Sequence, residues 1–217
     1  MTKTQSFDYE ILYEDRYLVV VNKPHCLLVV EDRFDKSLVT LKQLLTDRYK
    51  NIFVVHKLDF GTAGIIVFAK DYNTHKKLCQ IFKSGEVYKE YFAIVKGINF
   101  LPVTVMLPIS KRNYHGQYKI NFTSGRNAIT SFIPIEEKFN KTLLRCILYT
   151  GRTHQIRVHL KAIKYPLYND FLYNKKTEDK RLTLMCNRIN FVHPETGKKV
   201  DFNIEMTEYM KDILNTH

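Results

Sequence analysis

The sequence predicts a domain that mixes helices and strands, with two amphipathic helices in its first half and β-structure dominating its second. Three observations carry that expectation. Leu38, Leu41, Leu44 and Leu45 recur at helical spacing after Ser37, and Leu78, Ile81 and Phe82 do the same within residues 73–84. Residues 87–96 (VYKEYFAIVK), 128–135 and 142–149 are rich in β-branched and aromatic side chains, as extended chain prefers. A chain of 217 residues, 45% hydrophobic and 26% charged, also has a globular composition and enough apolar surface for a substantial core.

Taken in order, residues 17–21 (YLVVV) read as a strand running into a turn at Asn22-Lys23-Pro24, with a second extended piece at 27–30. A helix should begin after Ser37 and end near Tyr49. Val54 and Val55 then lead into His56-Lys57-Leu58-Asp59-Phe60-Gly61-Thr62-Ala63-Gly64, a glycine-punctuated loop before the buried strand 65–69. Gly85 is placed to end the second helix. Residues 111–126 (KRNYHGQYKINFTSGR) form a polar, aromatic and basic stretch suited to a mobile loop or hairpin. Thr153 can cap a short helix whose apolar face carries Ile156, Leu160 and Ile163. His154, Arg157 and Lys161 share another face, so Arg157 is expected to be presented rather than buried. No repeat, linker or low-complexity tract interrupts the chain, and a single domain over residues 1–217 is expected.

Lys and Arg number 34 against 22 Asp and Glu, a formal charge of +12, which favours a polyanionic partner, nucleic acid first. The opening MTKTQSFDYE is no signal peptide and no apolar run approaches membrane length, so neither secretion nor a membrane partner is expected. Cys26, Cys79, Cys146 and Cys186 are widely spaced among apolar neighbours, which reads as buried free thiols in a reducing cytoplasm. His154 and His159 stand five apart, not the four that brings two imidazoles onto one helical face, and no metal site is expected. Neither a phosphate-binding glycine loop nor a dinucleotide fingerprint is present, so no cofactor is expected either.

The positions that could carry chemistry are Asp59 in the glycine-rich loop, Tyr91 on a strand, and Gly151-Arg152-Thr153-His154-Gln155-Ile156-Arg157. Each has an ordinary structural reading as well. A loop Asp usually turns the chain, a strand Tyr usually packs, and a helical Arg is usually solvated.

Together with their surroundings these segments resemble the RluA family of RNA pseudouridine synthases over nearly the whole chain. Val20-Val21-Asn22-Lys23-Pro24 with Leu27-Leu28-Val29-Val30 is similar to the family's VVNKPxGLLV opening. His56-Lys57-Leu58-Asp59 with Thr62 and Gly64 is similar to HRLDxxTSG, and Lys89-Glu90-Tyr91-Phe92-Ala93 to KxYxA. The Gly151 to His159 run and the stretch from Arg181-Leu182 through Phe191 to His193-Pro194 are similar to the family's last two motifs. Since the first motif falls within about the first twenty residues, the resemblance implies the minimal type, without an N-terminal accessory RNA-binding domain.

The resemblance implies an α+β fold: a mixed, largely antiparallel bent β-sheet with helices and loops flanking a basic RNA-binding cleft. It implies a cofactor-free isomerase acting on uridine in structured RNA, ribosomal or transfer, as a monomer. Asp59 would be the catalytic residue, by attack on the sugar or removal of a sugar proton. Arg157 would pair with it, and Tyr91 would stack on the uracil and take the ring-carbon proton. His56, Lys57, Thr62, Arg152, His154, Gln155 and Ile156 would contact the RNA or its flipped base. Lys57 departs from the family's Arg and lacks a planar guanidinium that can fill the space the base leaves. Cys26 stands where a Gly is usual, and Ala63 where a Ser is. A non-catalytic RNA-binding or RNA-folding protein on the same scaffold is the alternative; a DNA-binding protein has only the charge in its favour.

Overall fold

The computed structural model describes residues 8–32, 35–110, 116–174 and 178–217. They form one twisted sheet in the order β1-β2-β4-β9-β5-β8-β7-β6, with β3 paired to β4 and β10 to β9. The strands are β1 (Glu10–Glu14), β2 (Leu18–Lys23), β3 (Phe53–Val54), β4 (Ala63–Ala69), β5 (Tyr88–Lys96), β6 (Val103–Val105), β7 (Thr130–Lys138), β8 (Lys141–Leu148), β9 (Leu184–Val192) and β10 (Lys199–Asn203). All strand pairs run antiparallel except β4 with β9. The α+β expectation is therefore met. The order of the central strands was not legible, because β9 inserts between β4 and β5, strands more than about 90 residues earlier.

β4 sits at the centre and its seven residues are all buried, as the apolar run 65–69 anticipates. Ile65, Ile66, Val67 and Phe68 join the main core with α1 (Leu41–Tyr49) and α2 (Tyr72–Ser84). Ala63, Ile94, Leu143 and Met185 form a second cluster with Met210 and Leu214 of α4 (Glu208–Asn215). α3 (Gln155–Ala162) buries Ile156 and Leu160 in the main core and Val158 in a smaller cluster with Ile109, Ala128 and Tyr173.

α2 has the predicted extent, capped by Asp71 and ended by Gly85 at φ +90°. α1 begins later than expected. Thr40, not Ser37, caps it through a capping box with Gln43, and Leu38 is 44% exposed, outside the apolar face. Residues 27–30 form no strand: Leu28 makes only an isolated parallel bridge to Thr40. Thr153 does not cap α3 either. His154 occupies the cap at φ +56° without a side-chain cap bond, and the Gln155 amide closes the turn instead by accepting from Arg152 N at 2.9 Å.

Of the stretch 111–126, residues 111–115 lie outside the described residues. The remainder is fastened to the body by Ser110 N to Lys119 O, Asn121 N to Pro108 O and Arg126 N to Ile109 O. Cys146 and Cys186 are buried, while Cys26 and Cys79 are only partly so; all four are free.

Candidate active site

The end of β2 anchors the glycine-rich loop. Lys23 is fully buried, and its ammonium donates to the carbonyls of Pro24 (2.8 Å), Leu27 (2.9 Å) and Phe60 (3.4 Å). Burial draws its pKa down to about 7. His25 Nδ1 donates to Gly61 O at 2.7 Å, and burial draws that imidazole down to about 4. Cys26 takes the positive φ (+58°) that explains a glycine preference at this position. Two residues of the opening motif thus hold the backbone on the far side of Asp59. Gly61 O also accepts from Leu182 N at 2.8 Å, and Thr62 N donates to Asp59 O at 3.0 Å, closing the turn that projects the Asp59 side chain.

Asp59 Oδ2 accepts from Arg157 Nη1 at 2.7 Å, joining the loop to α3 across 98 residues of sequence. The guanidinium is not presented to solvent as the helical pattern suggests: its side chain is 2% exposed. The reason lies opposite it. Asp170, 1% exposed, takes Nε and Nη2 in a bidentate pair, both at 2.8 Å, and is itself held by Leu172 N and Tyr173 N. With Nε and Nη2 committed, Nη1 is left for Asp59. The two carboxylates raise the Arg157 pKa against the cost of burial, so the cation is permanent.

His154 stands beside the pair, with Nε2 3.6 Å from Asp59 Oδ2 and Nδ1 2.9 Å from the Tyr173 hydroxyl. That hydroxyl already accepts from Tyr118 N at 2.7 Å.

Asp59, Tyr91, Arg157, His56, Lys57, Thr62, Arg152, His154, Gln155 and Ile156 all line one cleft of about 720 Å³. Tyr91 projects from β5 with 7% exposure, and burial pushes its hydroxyl pKa well up. β9 carries an extra residue, Asn187, opposite the step from Glu90 to Tyr91, a bulge at the strand that presents the ring. Leu58, Leu148, Ile156 and Leu184 give the inner wall its apolar character.

Two expected RNA contacts serve the framework. The Gln155 amide is buried and fully used: Nε2 donates to Ile129 O and Thr130 Oγ1, and Oε1 accepts from Arg152 N and Thr150 Oγ1. His56 Nε2 accepts from Val67 N at 3.1 Å while its ring stacks on Phe82 at 4.8 Å, and burial lowers its pKa to about 3. Lys57 is exposed at the lip. Thr62 Oγ1 is buried with no hydrogen-bond partner among the described residues. His159 is engaged by Thr130 Oγ1 and Leu107 O, and no group of three His, Cys, Asp or Glu among the described residues could hold a metal ion. Sequence reading passed over Asp170 and Tyr173; their signal is a single carboxylate inside the aromatic run Tyr168 to Tyr173.

Residues 17–162 match the profile of the RNA pseudouridylate synthase family. Ribosomal large subunit pseudouridine synthase D of Zymomonas mobilis is 32% identical over 228 residues, covering 95% of this chain and 72% of that protein. Dual-specificity RNA pseudouridine synthase RluA of Vibrio cholerae is 32% identical over 193 residues, covering 86% of this chain and 78% of that one. The structure of human RNA pseudouridylate synthase domain containing 1 superposes with a TM-score of 0.79 at 24% identity, over 97% of this chain and 89% of the human one, which shows a shared fold.

Proposed function

The chain belongs to the RNA pseudouridine synthase family, and from that premise we propose that it converts specific uridines of ribosomal or transfer RNA to pseudouridine with Asp59 as the catalytic residue. The observation that carries this reading is the placement of Asp59: the one carboxylate lining a cationic cleft, aimed by a buried Arg157 and sharing that cleft with Tyr91.

The reaction breaks the bond from the ribose anomeric carbon to the uracil ring nitrogen, turns the base and joins the sugar to ring carbon 5, whose proton passes to solvent while the freed ring nitrogen takes one up. No atom or electron is gained or lost overall, so the chain's own residues suffice. Asp59 meets the sugar either as nucleophile or as base for a sugar proton; both routes need a fixed carboxylate within reach of the sugar. Arg157 fixes it. Tyr91 supplies a face on which the base can stack and a hydroxyl near the carbon that loses its proton. The apolar wall of Leu58, Leu148 and Ile156 suits a flipped base, whose unstacking costs a few kcal/mol. One ten-stranded sheet through the described residues supports a single catalytic domain.

Tritium release from RNA labelled at uracil carbon 5 tests the proposal. Ribosomal and transfer RNA from a synthase-deficient strain would be incubated with wild type and with Asp59→Ala. Release by wild type alone, with RNA affinity of the variant within severalfold, is the expected result. Substantial turnover by Asp59→Ala would remove Asp59 from the mechanism, and binding without release by wild type would favour a protein that only binds RNA.

A further inference from the structure

Lys89 lines the cleft beside Tyr91 and has no part in the chemistry above. It precedes Tyr91 by two on β5, so strand alternation sends both side chains to the same side, while Tyr88 and Glu90 bond each other on the opposite one. Lys89 is 9% exposed, and its ammonium has neither a hydrogen bond nor an ion pair among the described residues. Glu90, its neighbour, is taken by Tyr88 and Asn187. The ammonium opens on the cleft, and burial of the side chain lowers the Lys89 pKa, a cost that an anion at Nζ would offset.

Its surroundings identify what it lacks. Nζ lies against Gly151, 3.9 Å from where a Cβ would stand, at the loop that opens α3 and so at that helix's positive end. Lys57, Lys83 and Arg152 line the same cleft, and Asp59, already paired with Arg157, is its one carboxylate. The apolar wall for a base is made by other residues. What remains around Lys89 is a polar, cationic recess with room for an anion.

We propose that Lys89, with the Gly151-Arg152 loop, seats a backbone phosphate of the RNA adjacent to the uridine that stacks on Tyr91. The seat rests on the functional reading above and deepens it. Strand geometry places the Lys89 and Tyr91 α-carbons roughly 7 Å apart, so a phosphate held by one fixes the base presented to the other.

The test compares wild type, Lys89→Met and Lys89→Arg. Binding to unfractionated transfer RNA would be measured across a salt series, alongside thermal unfolding and saturating single-turnover tritium release. Loss of one phosphate contact should lower the slope of log affinity against log salt by about one and weaken binding severalfold in Lys89→Met, with Lys89→Arg retaining both. Saturating turnover should stay within about threefold, and Tm should hold, since the substitution removes no hydrogen bond or ion pair among the described residues. An unchanged salt slope would overturn the proposal, whether turnover also fell, which would place Lys89 on the base, or Tm fell, which would make it structural. Should wild type release no tritium, the synthase reading fails while the salt slope still decides the phosphate seat.

Discussion

Arg157 shows what a residue's sequence context can and cannot tell. Its position on α3 was readable from the spacing of Ile156, Leu160 and Ile163, and its pairing with Asp59 from the family motif. Its burial was not, because a helical pattern gives direction but not what lies opposite, and Asp170 arrives from a loop with no periodicity to mark it. The side chain is a bridge between two carboxylates, and the outer one decides where the inner contact falls. Asp170→Asn keeps the shape but gives up the charge and one acceptor of the bidentate pair, freeing the guanidinium to rotate away from Asp59. We expect the single-turnover rate to fall by about 10²-fold while RNA affinity changes little, with partial recovery in Asp170→Glu. Equal losses in affinity and rate would instead mean that Asp170 shapes the cleft as a whole. Asp170→Ala, which leaves a cation at 2% exposure with one partner, should also cost about 3–5 kcal/mol of stability in urea unfolding.

At the scale of elements, the pieces with strong local signals were legible. β4, β5, α2 and the Gly85 stop fall within a residue or two of where apolar runs and helical spacing put them. Elements governed by competing local contacts were not. α1 starts at Leu41 because Thr40 and Gln43 form a reciprocal cap that Ser37, bonded to Asp35, cannot offer. The short edge strands carry too little pattern of their own, whereas α4 has Tyr209, Met210, Ile213 and Leu214 at helical spacing after the Thr207 cap, a signal the sequence reading passed over. Two glycines separate these influences cleanly. Gly64, at φ +107°, lies where β4 meets β9, and a Cβ would stand 2.2 Å from Cys186 O; Gly85, at φ +90°, would meet nothing within 4 Å. Gly85→Ala should therefore cost only the conformational penalty, about 1 kcal/mol. Gly64→Ala must push apart the strands that carry the Asp59 loop, and should cost more than about 4 kcal/mol and abolish turnover. Denaturant midpoints of the two variants measure the difference, and similar values would mean that the β4–β9 contact yields easily.

For the whole molecule, the site depends on parts distant in sequence being held by buried groups whose charge state matters. The net charge of +12 was plain from composition, and its consequence, salt-sensitive affinity for a polyanion, concerns partners rather than folding. Stability against pH is set elsewhere, by imidazoles that must remain neutral. His25 holds Gly61 O behind Asp59 and has its pKa drawn from 6.5 to about 4; His56 receives the Val67 N–H and is drawn from 6.5 to about 3. An unfolded chain takes up protons at both positions near pH 6.5, whereas the folded one refuses them until pH 4 or below. The unfolded state therefore binds more protons across that interval, and stability, complete above about pH 6.5, must decline as pH falls towards 4. Because both residues brace the segment that carries Asp59, turnover should decline along with stability over the same interval. Urea midpoints from pH 7 to pH 4, for wild type beside a His56→Phe variant, would check this: the variant's profile should be flatter, since one of the two refused protons is gone. A variant profile as steep as that of wild type would shift the acid sensitivity to other groups and leave His56 as packing alone.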